Sequence, residues 1–460
     1  MPPPTPSLRD DASAIWQAGV DAVRSDRLVQ DAVQVRGEHL IVGDRQLTLG
    51  EIRRLAVVGC GKAGAGMAAG LEAALGEPLM QDKHLTGWIN VPDDCVRTLQ
   101  RIHLHGARPP GVNEPTAAGA AGAERILELV RSLGVDDVCL CLISGGGSAL
   151  LPAPVEGITL DDKLAVTRIL SAAGANIRQL NTVRKQLSRI KGGGLARACG
   201  AGRLIALIIS DVLGDPLDVI ASGPTVADSS TPQQALEILD QFQARQAGVS
   251  PRVFQVLERA ATQGPTAGRS ATCDVTHRVI GNLATAVAAA GREAERRGYR
   301  TRTVAMQQLE GEAEQVGRAL AAEALAMRAA RGPQCLIHGG EPTVKLVASS
   351  CRGLGGRNQQ LVLAALEYLT DKQRDSARGI TLLSGGTDGE DGPTDAAGAV
   401  LDENVLAAAA GQRLSASEYL ARNDAYHFFE PLRALLLTGP THTNVCDLRV
   451  VLTAGQPEQI

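Results

Sequence analysis

The stretch LAVVGCGKAGAGMAAG, residues 55–70, decides how the fold is read. An apolar run enters a glycine turn that contains Lys62, and small residues at helical spacing follow. This order predicts a buried strand, a tight turn and a helix, which is the first unit of a ligand-binding α/β sheet. Gly59, Gly61 and Gly64 satisfy the dinucleotide fingerprint, but a lysine inside the turn also suits a phosphate or a carboxylate.

The composition excludes several classes of function. The chain has 460 residues, of which 44% are hydrophobic, and its formal net charge is -4. Acidic and basic residues are interspersed without a lysine-rich tract, so we expect no nucleic-acid partner. No apolar run approaches the roughly 20 residues that span a bilayer, and the chain does not begin with a signal-peptide pattern. We therefore expect a cytoplasmic protein without a membrane contact.

Short apolar runs alternate with alanine-rich helical stretches along most of the chain. This alternation predicts an α/β protein whose first domain, residues 1–245, is Rossmann-like with a mainly parallel sheet. The pattern weakens after that, and we expect a linker over residues 246–275. A second α/β domain with a mixed sheet is predicted over residues 276–460.

A glycine-rich loop follows the buried run VCLCLI. It has the sequence SGGGS, and its backbone N–H groups and hydroxyls suit a phosphate or another oxyanion. A serine nucleophile is the other functional interpretation, although the G-x-S-x-G elbow is absent. The loop consists of Ser144, Gly145, Gly146, Gly147 and Ser148.

A basic segment, NTVRKQLSRIKGGGLA, begins at residue 181. Arg184, Ser188 and Lys191 have helical spacing with Asn181, so the pattern predicts that they share one helix face, with Lys185 beside it. Such a stripe is either a solvated helix face or, because it leads into three glycines, an anion site.

Carboxylates follow two other apolar runs. Asp211 comes at the end of RLIALIIS, where a general base, a metal ligand or a turn cap is expected. Asp388 and Asp391 lie in the glycine-rich stretch GGTDGEDG. Oxygen ligands without histidine favour Mg²⁺, which binds through one or two carboxylates and the phosphates of a substrate.

A further glycine turn carries charged residues in the second half of the chain. Glu341 follows the apolar run CLIHGG, and Arg357 and Asn358 directly precede a predicted helix. An arginine there can grip a carboxylate with two hydrogen bonds or stabilise a phosphoryl group. Pairing with a nearby acid at the helix start is the alternative.

Eight motifs in one order resemble the glycerate 2-kinases that carry a C-terminal MOFRL domain. They are GCGKAG, LISGGGSALL, NTVRKQLSRIKGGGLA, ISDVLGDPLDVIASGPT, GGEPTV, GGRNQ, LLSGGTDGEDGPTDAAGA and TGPTHTNVCDLRVVL. The resemblance implies ATP- and Mg²⁺-dependent phosphorylation of D-glycerate to 2-phospho-D-glycerate. It also implies two α/β domains with the active site in the interdomain cleft. This chain departs from the family at His442, where a glycine is usual.

By this resemblance Lys62, Asp211 and Arg357 are the expected catalytic residues, with Asp211 as the base for the glycerate hydroxyl. We expect Mg²⁺ to be held by ATP and one or more of Asp211, Asp388 and Asp391. The expected substrate and nucleotide contacts are Gly61, Ser144, Gly145, Gly146, Gly147, Ser148, Arg184, Lys185, Lys191, Glu341 and Asn358. Two other functions stay open, namely an NAD(P)-dependent hydroxypyruvate reductase and a non-catalytic phosphometabolite-binding protein. A homodimer is possible.

Overall fold

The computed structural model describes residues 7–110, 112, 114–263, 273–371 and 378–456. The chain forms two compact units. We call Ser25–Ile280 the central unit. The terminal unit combines the described residues up to Arg24 with those from Gly281 onward.

The described residues form sixteen α-helices and fifteen strands. The helices are α1 Leu8–Ala22, α2 Ser25–Ala32, α3 Gly64–Asp82, α4 Ala117–Arg131, α5 Gly147–Leu150, α6 Leu160–Ala172, α7 Ile177–Gln186, α8 Gly194–Ala198, α9 Pro232–Gln241, α10 Pro251–Thr262, α11 Leu283–Arg296, α12 Ala313–Arg328, α13 Arg357–Asp371, α14 Glu403–Gly411, α15 Ala416–Leu420 and α16 Ala425–Phe429. The strands are β1 Val33–Arg36, β2 His39–Val42, β3 Arg45–Thr48, β4 Arg54–Cys60, β5 Thr86–Pro92, β6 Ile102–Arg108, β7 Asp137–Ile143, β8 Arg203–Ile209, β9 Asp274–Gly281, β10 Arg300–Ala305, β11 Gln334–Gly340, β12 Ile380–Gly386, β13 Gly398–Leu401, β14 Leu435–Leu436 and β15 Asp447–Thr453.

The central unit contains the expected parallel sheet, in the order β6-β5-β4-β7-β8-β9. Strands β4 to β8 pair in parallel, and every residue of β7 is buried. The chain moves outward from β4 in one direction and then resumes at β7 on the other side of β4. The loops after β4 and β7 therefore leave the sheet side by side at the point where strand order reverses, which is where open α/β sheets bind ligands. A separate small sheet contains β1, β2 and β3.

The terminal unit contains the expected mixed sheet, in the order β10-β11-β15-β12-β13-β14. β10 and β11 are parallel, whereas β15 runs antiparallel to both β11 and β12. The register places Asp447 between Gly340 and Gly386. Because β15 runs the opposite way, its first residue lies at the edge where β11 and β12 end.

The units differ from the predicted domain boundaries in two places. Helix α1 packs against α11 and β15, so the chain's first helix belongs to the terminal unit. The segment predicted as a linker contains α10, which packs on α9 and contributes Val253, Phe254 and Leu257 to an apolar core. Its apolar face is buried against its neighbour, and a stretch that buries apolar area in this way is part of the domain.

The apolar residues lie mainly between the sheets and their helices. Cys139 and Cys141 are buried in an apolar core of the central unit, and neither forms a disulfide. No helix within the described ranges combines the length and the apolar character needed to cross a membrane.

Candidate active site

The turns after β4 and β7 are held together by three hydrogen bonds. The N–H of Lys62 donates to Gly145 O (2.9 Å), and the N–H of Ala63 donates to Ser144 Oγ (3.0 Å). Ser144 N–H in turn donates to Cys60 O (3.0 Å). Gly61 has a φ of 135°, and a Cβ there would lie 2.0 Å from Ser144 Oγ, so only glycine fits. Two stretches that the sequence marked separately are therefore one structure.

Three charged side chains flank the glycines of the second turn. A Cβ on Gly145 would lie 2.1 Å from Asp211 Oδ2. A Cβ on Gly146 would lie 3.6 Å from Lys62 Cγ and 3.3 Å from Arg108 Nη2. Lys62 and Asp211 thus border the same glycine turn. A cation and an acid that act on one substrate would need to lie this close together. Arg108, buried at the end of β6, was not expected from the sequence.

Basic side chains from later segments of the chain donate hydrogen bonds to Ser148. Its Oγ accepts from Arg184 Nη2 (2.6 Å) and from Lys191 Nζ (2.8 Å), and Lys191 Nζ also donates to Ser148 O (2.8 Å). The hydroxyl of Ser222 lies 2.9 Å from Ser148 Oγ. Arg184, Lys191 and Ser148, which the sequence predicted as substrate contacts, are brought together.

Lys163, on α6, joins this group from a position that the sequence did not mark. Its Nζ donates to Leu187 O (2.8 Å), and its side chain is buried. Burial, and then the charge of Arg184, lowers the pKa of Lys163 to about 7. We call Lys163, Arg184 and Lys191 the basic cluster.

The basic cluster has no acidic partner among the described residues. Burial lowers the pKa of Arg184, and burial with the charges of Arg184 and Lys163 lowers the pKa of Lys191 well below its usual value. The three side chains donate their hydrogen bonds to a hydroxyl and to backbone carbonyls. Buried charges normally have a partner of opposite sign because desolvation is costly. The cluster is therefore suited to an anionic ligand.

The predicted common helix face is wrong, although two of its members still meet. Helix α7 ends at Gln186, so Ser188 and Lys191 lie beyond it. The chain leaves the helix because Ser188 forms an antiparallel bridge with Pro154, and Arg189 N–H donates to Ala153 O (2.8 Å). Tertiary pairing with this distant segment, not helical spacing, carries Lys191 to Ser148.

Lys185 points to a different set of partners. Its Nζ lies 3.5 Å from Asp218 and 3.5 Å from Asp228, and only 8% of its side chain is exposed. Its charge is compensated within the protein, unlike the charges of the basic cluster. The expectation that Lys185 contacts a substrate stays a prediction.

A strained backbone segment lies beside the basic cluster. Ala221 and Ser222 have φ values of 51° and 61°, in the left-handed region that non-glycine residues rarely adopt. The segment is held by the N–H groups of Gly192 and Gly193, which donate to Ser222 O (3.0 Å) and Gly223 O (2.8 Å). Strain of about 1–3 kcal/mol per residue persists where the surroundings fix it, often at functional sites.

In the terminal unit, Arg357 lies between two carboxylates at the start of α13. Its Nη1 donates to Glu341 Oε1 (2.7 Å), and its Nη2 donates to Asp447 Oδ1 (3.0 Å). Nε is also 2.7 Å from Asp447 Oδ2, a contact that is an ion pair without hydrogen-bond alignment. Burial lowers the pKa of Arg357, but the two carboxylates outweigh burial and raise it overall. Glu341 and Arg357 therefore meet, as an ion pair.

Asp391 caps helix α13. Its Oδ1 accepts from the N–H of Asn358 (3.0 Å), and its Oδ2 accepts from the N–H of Gln359 (2.8 Å). Asn358 Nδ2 donates to the same carboxylate (3.2 Å), while Ser384 Oγ donates to Asn358 Oδ1 (2.5 Å). Burial raises the pKa of Asp391 to about 7. As placed, Asp391 and Asn358 hold the start of the helix that carries Arg357.

The three predicted metal ligands do not form one site within either unit. Asp211 belongs to the central unit, whereas Asp388 and Asp391 belong to the terminal unit. Asp388 Oδ1 accepts from the N–H of Glu390 (3.2 Å) within its own loop. Across the described ranges, no three His, Cys, Asp or Glu side chains are grouped so as to hold a metal ion. A single carboxylate such as Asp211 remains compatible with Mg²⁺ that is bound mainly by phosphates.

The backbone conformation at residue 442 bears on the position where this chain departs from the family pattern. His442 has a φ of 59°, in the left-handed region where glycine is favoured. A glycine in relatives would satisfy this backbone conformation without a steric cost. His442 therefore occupies a position with a backbone requirement.

Sequence reasoning missed several charged residues. Asp447 and Arg449 had a usable signal, because two charges at alternate positions interrupt the apolar run of β15. Glu310 and Lys163 had none, since Glu310 lies in a loop and Lys163 has the sequence context of an ordinary helix surface.

Two known families match parts of the chain, and several known proteins match nearly all of it. The family described as "Domain of unknown function (DUF4147)" matches residues 11–258, and the MOFRL family matches residues 334–447. Glycerate kinase of Danio rerio is 37% identical, with 98% of this chain and 99% of the relative covered. D-glycerate 2-kinase of Thermotoga maritima is 34% identical over 97% of this chain and 98% of the relative. The crystal structure of glycerate kinase from the same organism has a TM-score of 0.80 and 32% identity, with 97% and 99% of the two chains covered. A protein of Agrobacterium vitis named putative hydroxypyruvate reductase is 39% identical over 87% of this chain and 99% of the relative.

Proposed function

Because the chain belongs to the glycerate kinase family, whose members it matches over nearly its whole length, we propose that it transfers the terminal phosphoryl group of ATP to the 2-hydroxyl of D-glycerate. The chain is a phosphotransferase that acts on glycerate. The donor, the metal and the position of the new phosphate are the proposed details.

The proposal rests on the basic cluster, whose three basic side chains meet no acid within the described part of the chain. Both substrates and both products of the reaction are anions. An incoming carboxylate or phosphate would provide the missing opposite charge in a dry site, where electrostatic interactions are strong. Arg184 and Lys191 already point at one hydroxyl, Ser148 Oγ, so little reorganisation is needed to bind an anion.

The paired turns supply the parts for phosphoryl transfer. Lys62 would stabilise negative charge on the migrating group, and the bare glycine backbone of residues 145–147 would allow phosphate oxygens to approach closely. Asp211 would accept the proton of the 2-hydroxyl, which frees the oxygen to attack phosphorus. Mg²⁺, when bound to ATP, supplies charge neutralisation, and Asp211 is the predicted carboxylate that lies beside this turn.

Arg357 is proposed as a second cation for the transferring group. Each of its two terminal nitrogens uses one hydrogen bond to a carboxylate in this structure. A guanidinium has five N–H donors, so donors remain for a ligand. About a third of the side chain is exposed, which leaves the group accessible. The expectation that both units contribute to one active site stays a prediction, as does the homodimer.

A hydroxypyruvate reductase is the second candidate, because the Agrobacterium relative carries that name. The glycine fingerprint is present, and a ribose-binding acid would be sought about 20 residues after it, near Asp82. Asp82, however, ends α3 and pairs with Lys83 (3.0 Å). A dinucleotide-binding acid is instead expected at the end of the second strand.

A paired assay tests the proposal. With D-glycerate, ATP and Mg²⁺, we expect ADP release, and the product should be a direct substrate for enolase, which requires 2-phosphoglycerate. With hydroxypyruvate and NADH or NADPH, we expect no loss of nicotinamide absorbance. Chelation of Mg²⁺ by EDTA should stop the first reaction.

Variants then test the assigned residues. Lys62→Met should lower kcat by about 10²-fold or more with an unchanged melting temperature. Asp211→Asn should lower kcat, and a change in KM alone would make Asp211 a binding residue instead of a base. Lys83→Met, which alters a lysine outside the turns, serves as the control. Reductase activity without ADP release would refute the proposed function.

A further inference from the structure

A second layer of charge lies next to Arg357 on strand β15. Asp447 and Arg449 are buried completely, and as alternate residues of a strand they project from the same face. Arg449 Nη1 donates to Glu310 Oε1 (2.7 Å), and Arg449 Nη2 lies 3.9 Å from Asp447 Oδ2. The Asp447 carboxylate is therefore placed between the guanidinium groups of Arg357 and Arg449.

His338, on the neighbouring strand β11, supports Arg449 from the side. Its Nδ1 is 2.9 Å from Arg449 Nη1. An arginine can only donate, so Nδ1 must be the acceptor and the ring proton must sit on Nε2. Burial and the charge of Arg449 lower the pKa of His338 to about 4, which keeps the ring neutral near pH 7.

Stability alone does not account for this arrangement. Arg449 Nε and Nη2 and Glu310 Oε2 are buried without hydrogen-bond partners among the described residues, which costs free energy. Buried ion pairs are often no more stabilising than apolar residues of similar size. Val451, two positions further along the same face, shows that this face accepts an apolar residue.

We infer that Asp447 and Arg449 form a positioning pair for Arg357. Asp447 accepts a hydrogen bond from Nη2 of Arg357 and forms an ion pair with its Nε, and these two contacts restrict the plane of the guanidinium. Arg449 holds Asp447 in place from the buried side through the charge contact between Nη2 and Oδ2. Glu341 is one-third exposed and contacts Arg357 through one nitrogen only, so it restricts the plane less. This inference rests on the proposed role of Arg357 in phosphoryl transfer, and it makes Arg449 act on the reaction through Asp447 without touching the substrate.

The test compares the kinetic constants of six variants of the full chain. Arg449→Met should lower kcat by about 10- to 100-fold, because small displacements of a positioned group have effects of this size, and should leave KM for glycerate within about 3-fold. Arg449→Lys keeps a cation and should recover part of kcat. Asp447→Asn should resemble Arg449→Met. Val450→Ala, at a neighbouring position of the opposite strand face, is the structural control and should leave kcat unchanged.

Rescue of the Arg357→Ala variant separates a positioning role of Arg449 from a merely structural one. The kcat of Arg357→Ala should fall strongly, and millimolar guanidinium ion should restore part of it by binding to Asp447. In the double variant Arg357→Ala/Arg449→Met, we expect no rescue and no further loss of kcat. Full activity of Arg357→Ala would refute the proposed role of Arg357 and with it the inference.

Other results would refute the positioning pair while leaving the role of Arg357 intact. One such result is an inactive Arg357→Ala variant together with an unchanged kcat in Arg449→Met. The other is that guanidinium ion restores the kcat of the double variant as much as that of Arg357→Ala. If Arg449→Met does not fold, Arg449→Lys and Asp447→Asn decide the question by the same constants. Normal kcat in both of these would overturn the inference.

Discussion

Replacing Lys163 by methionine should stabilise the central unit while weakening its anion site. The substitution keeps an unbranched side chain of similar length and removes one cation from the basic cluster. Lys163 is buried next to Arg184, and its pKa falls from 10.5 to about 7. The folded protein therefore holds this proton less tightly than the unfolded chain does.

The sign and the size of the effect follow from these values. Below pH 7 both states are protonated, and the folded state carries the full cost of the buried charge. At about 1.4 kcal/mol per pH unit between 10.5 and about 7, this cost is about 5 kcal/mol. It shrinks as pH rises from about 7 and vanishes near 10.5. The lost hydrogen bond to Leu187 O offsets about 1 kcal/mol of the gain.

We therefore expect Lys163→Met to be about 2–4 kcal/mol more stable than the parent at pH 6, with the difference close to zero by about pH 10. Urea unfolding followed by the fluorescence of Trp88, which lies in the central unit, measures this in a Trp16→Phe background. Over the same range, kcat/KM for glycerate should fall in the parent as pH rises through about 7, and this step should be absent in the variant.

Lys185→Met is the matched control, because the side chain of Lys185 is also largely covered but has two carboxylate partners. Its removal leaves Asp218 and Asp228 without their cation, so it should destabilise at every pH tested. A Lys163→Met variant that is less stable than the parent at pH 6, or whose stability difference does not depend on pH, would show that Lys163 is not a destabilising buried cation.

Two more variants test the glycine turn and the helix cap. Gly145→Ala places a Cβ 2.1 Å from Asp211 Oδ2, so it should lower kcat by about 10²-fold, whereas Gly50→Ala, where no atom of the described residues lies within 4 Å, should not; equal kcat values would contradict the close approach. The raised pKa of Asp391 means that the folded state binds its proton more tightly than the unfolded chain, so stability should fall as pH rises from about 4 to about 7. Asp391→Asn should flatten that part of the stability curve in urea titrations, and an unchanged slope would show that Asp391 does not titrate there.

The local units and their chemistry can be predicted from short stretches of the sequence. Residues 55–70 are predicted to form a strand, a glycine turn and a helix, because the apolar runs and the conformational freedom of the glycines are local properties of the chain. The alternation of such units predicted a parallel sheet, and ligand-binding turns at strand ends follow from that topology. The turns that contain Lys62 and Ser144 could therefore each be predicted as ligand-binding turns from the order of residues alone.

Which charged side chains have partners depends on the folded chain and could not be predicted from the sequence. From the sequence, Lys163 is expected to be a solvated helix residue, but packing buries it next to Arg184. The sequence likewise gives no partner for Arg357, whereas β15 places Asp447 beside it. Strand β15 lies between β11 and β12 in the sheet, although both of these strands end more than sixty residues before β15 begins. No local sequence pattern specifies that pairing. Desolvation and ion pairing depend on what surrounds a side chain in space, so the balance of charge at each site is a property of the folded chain.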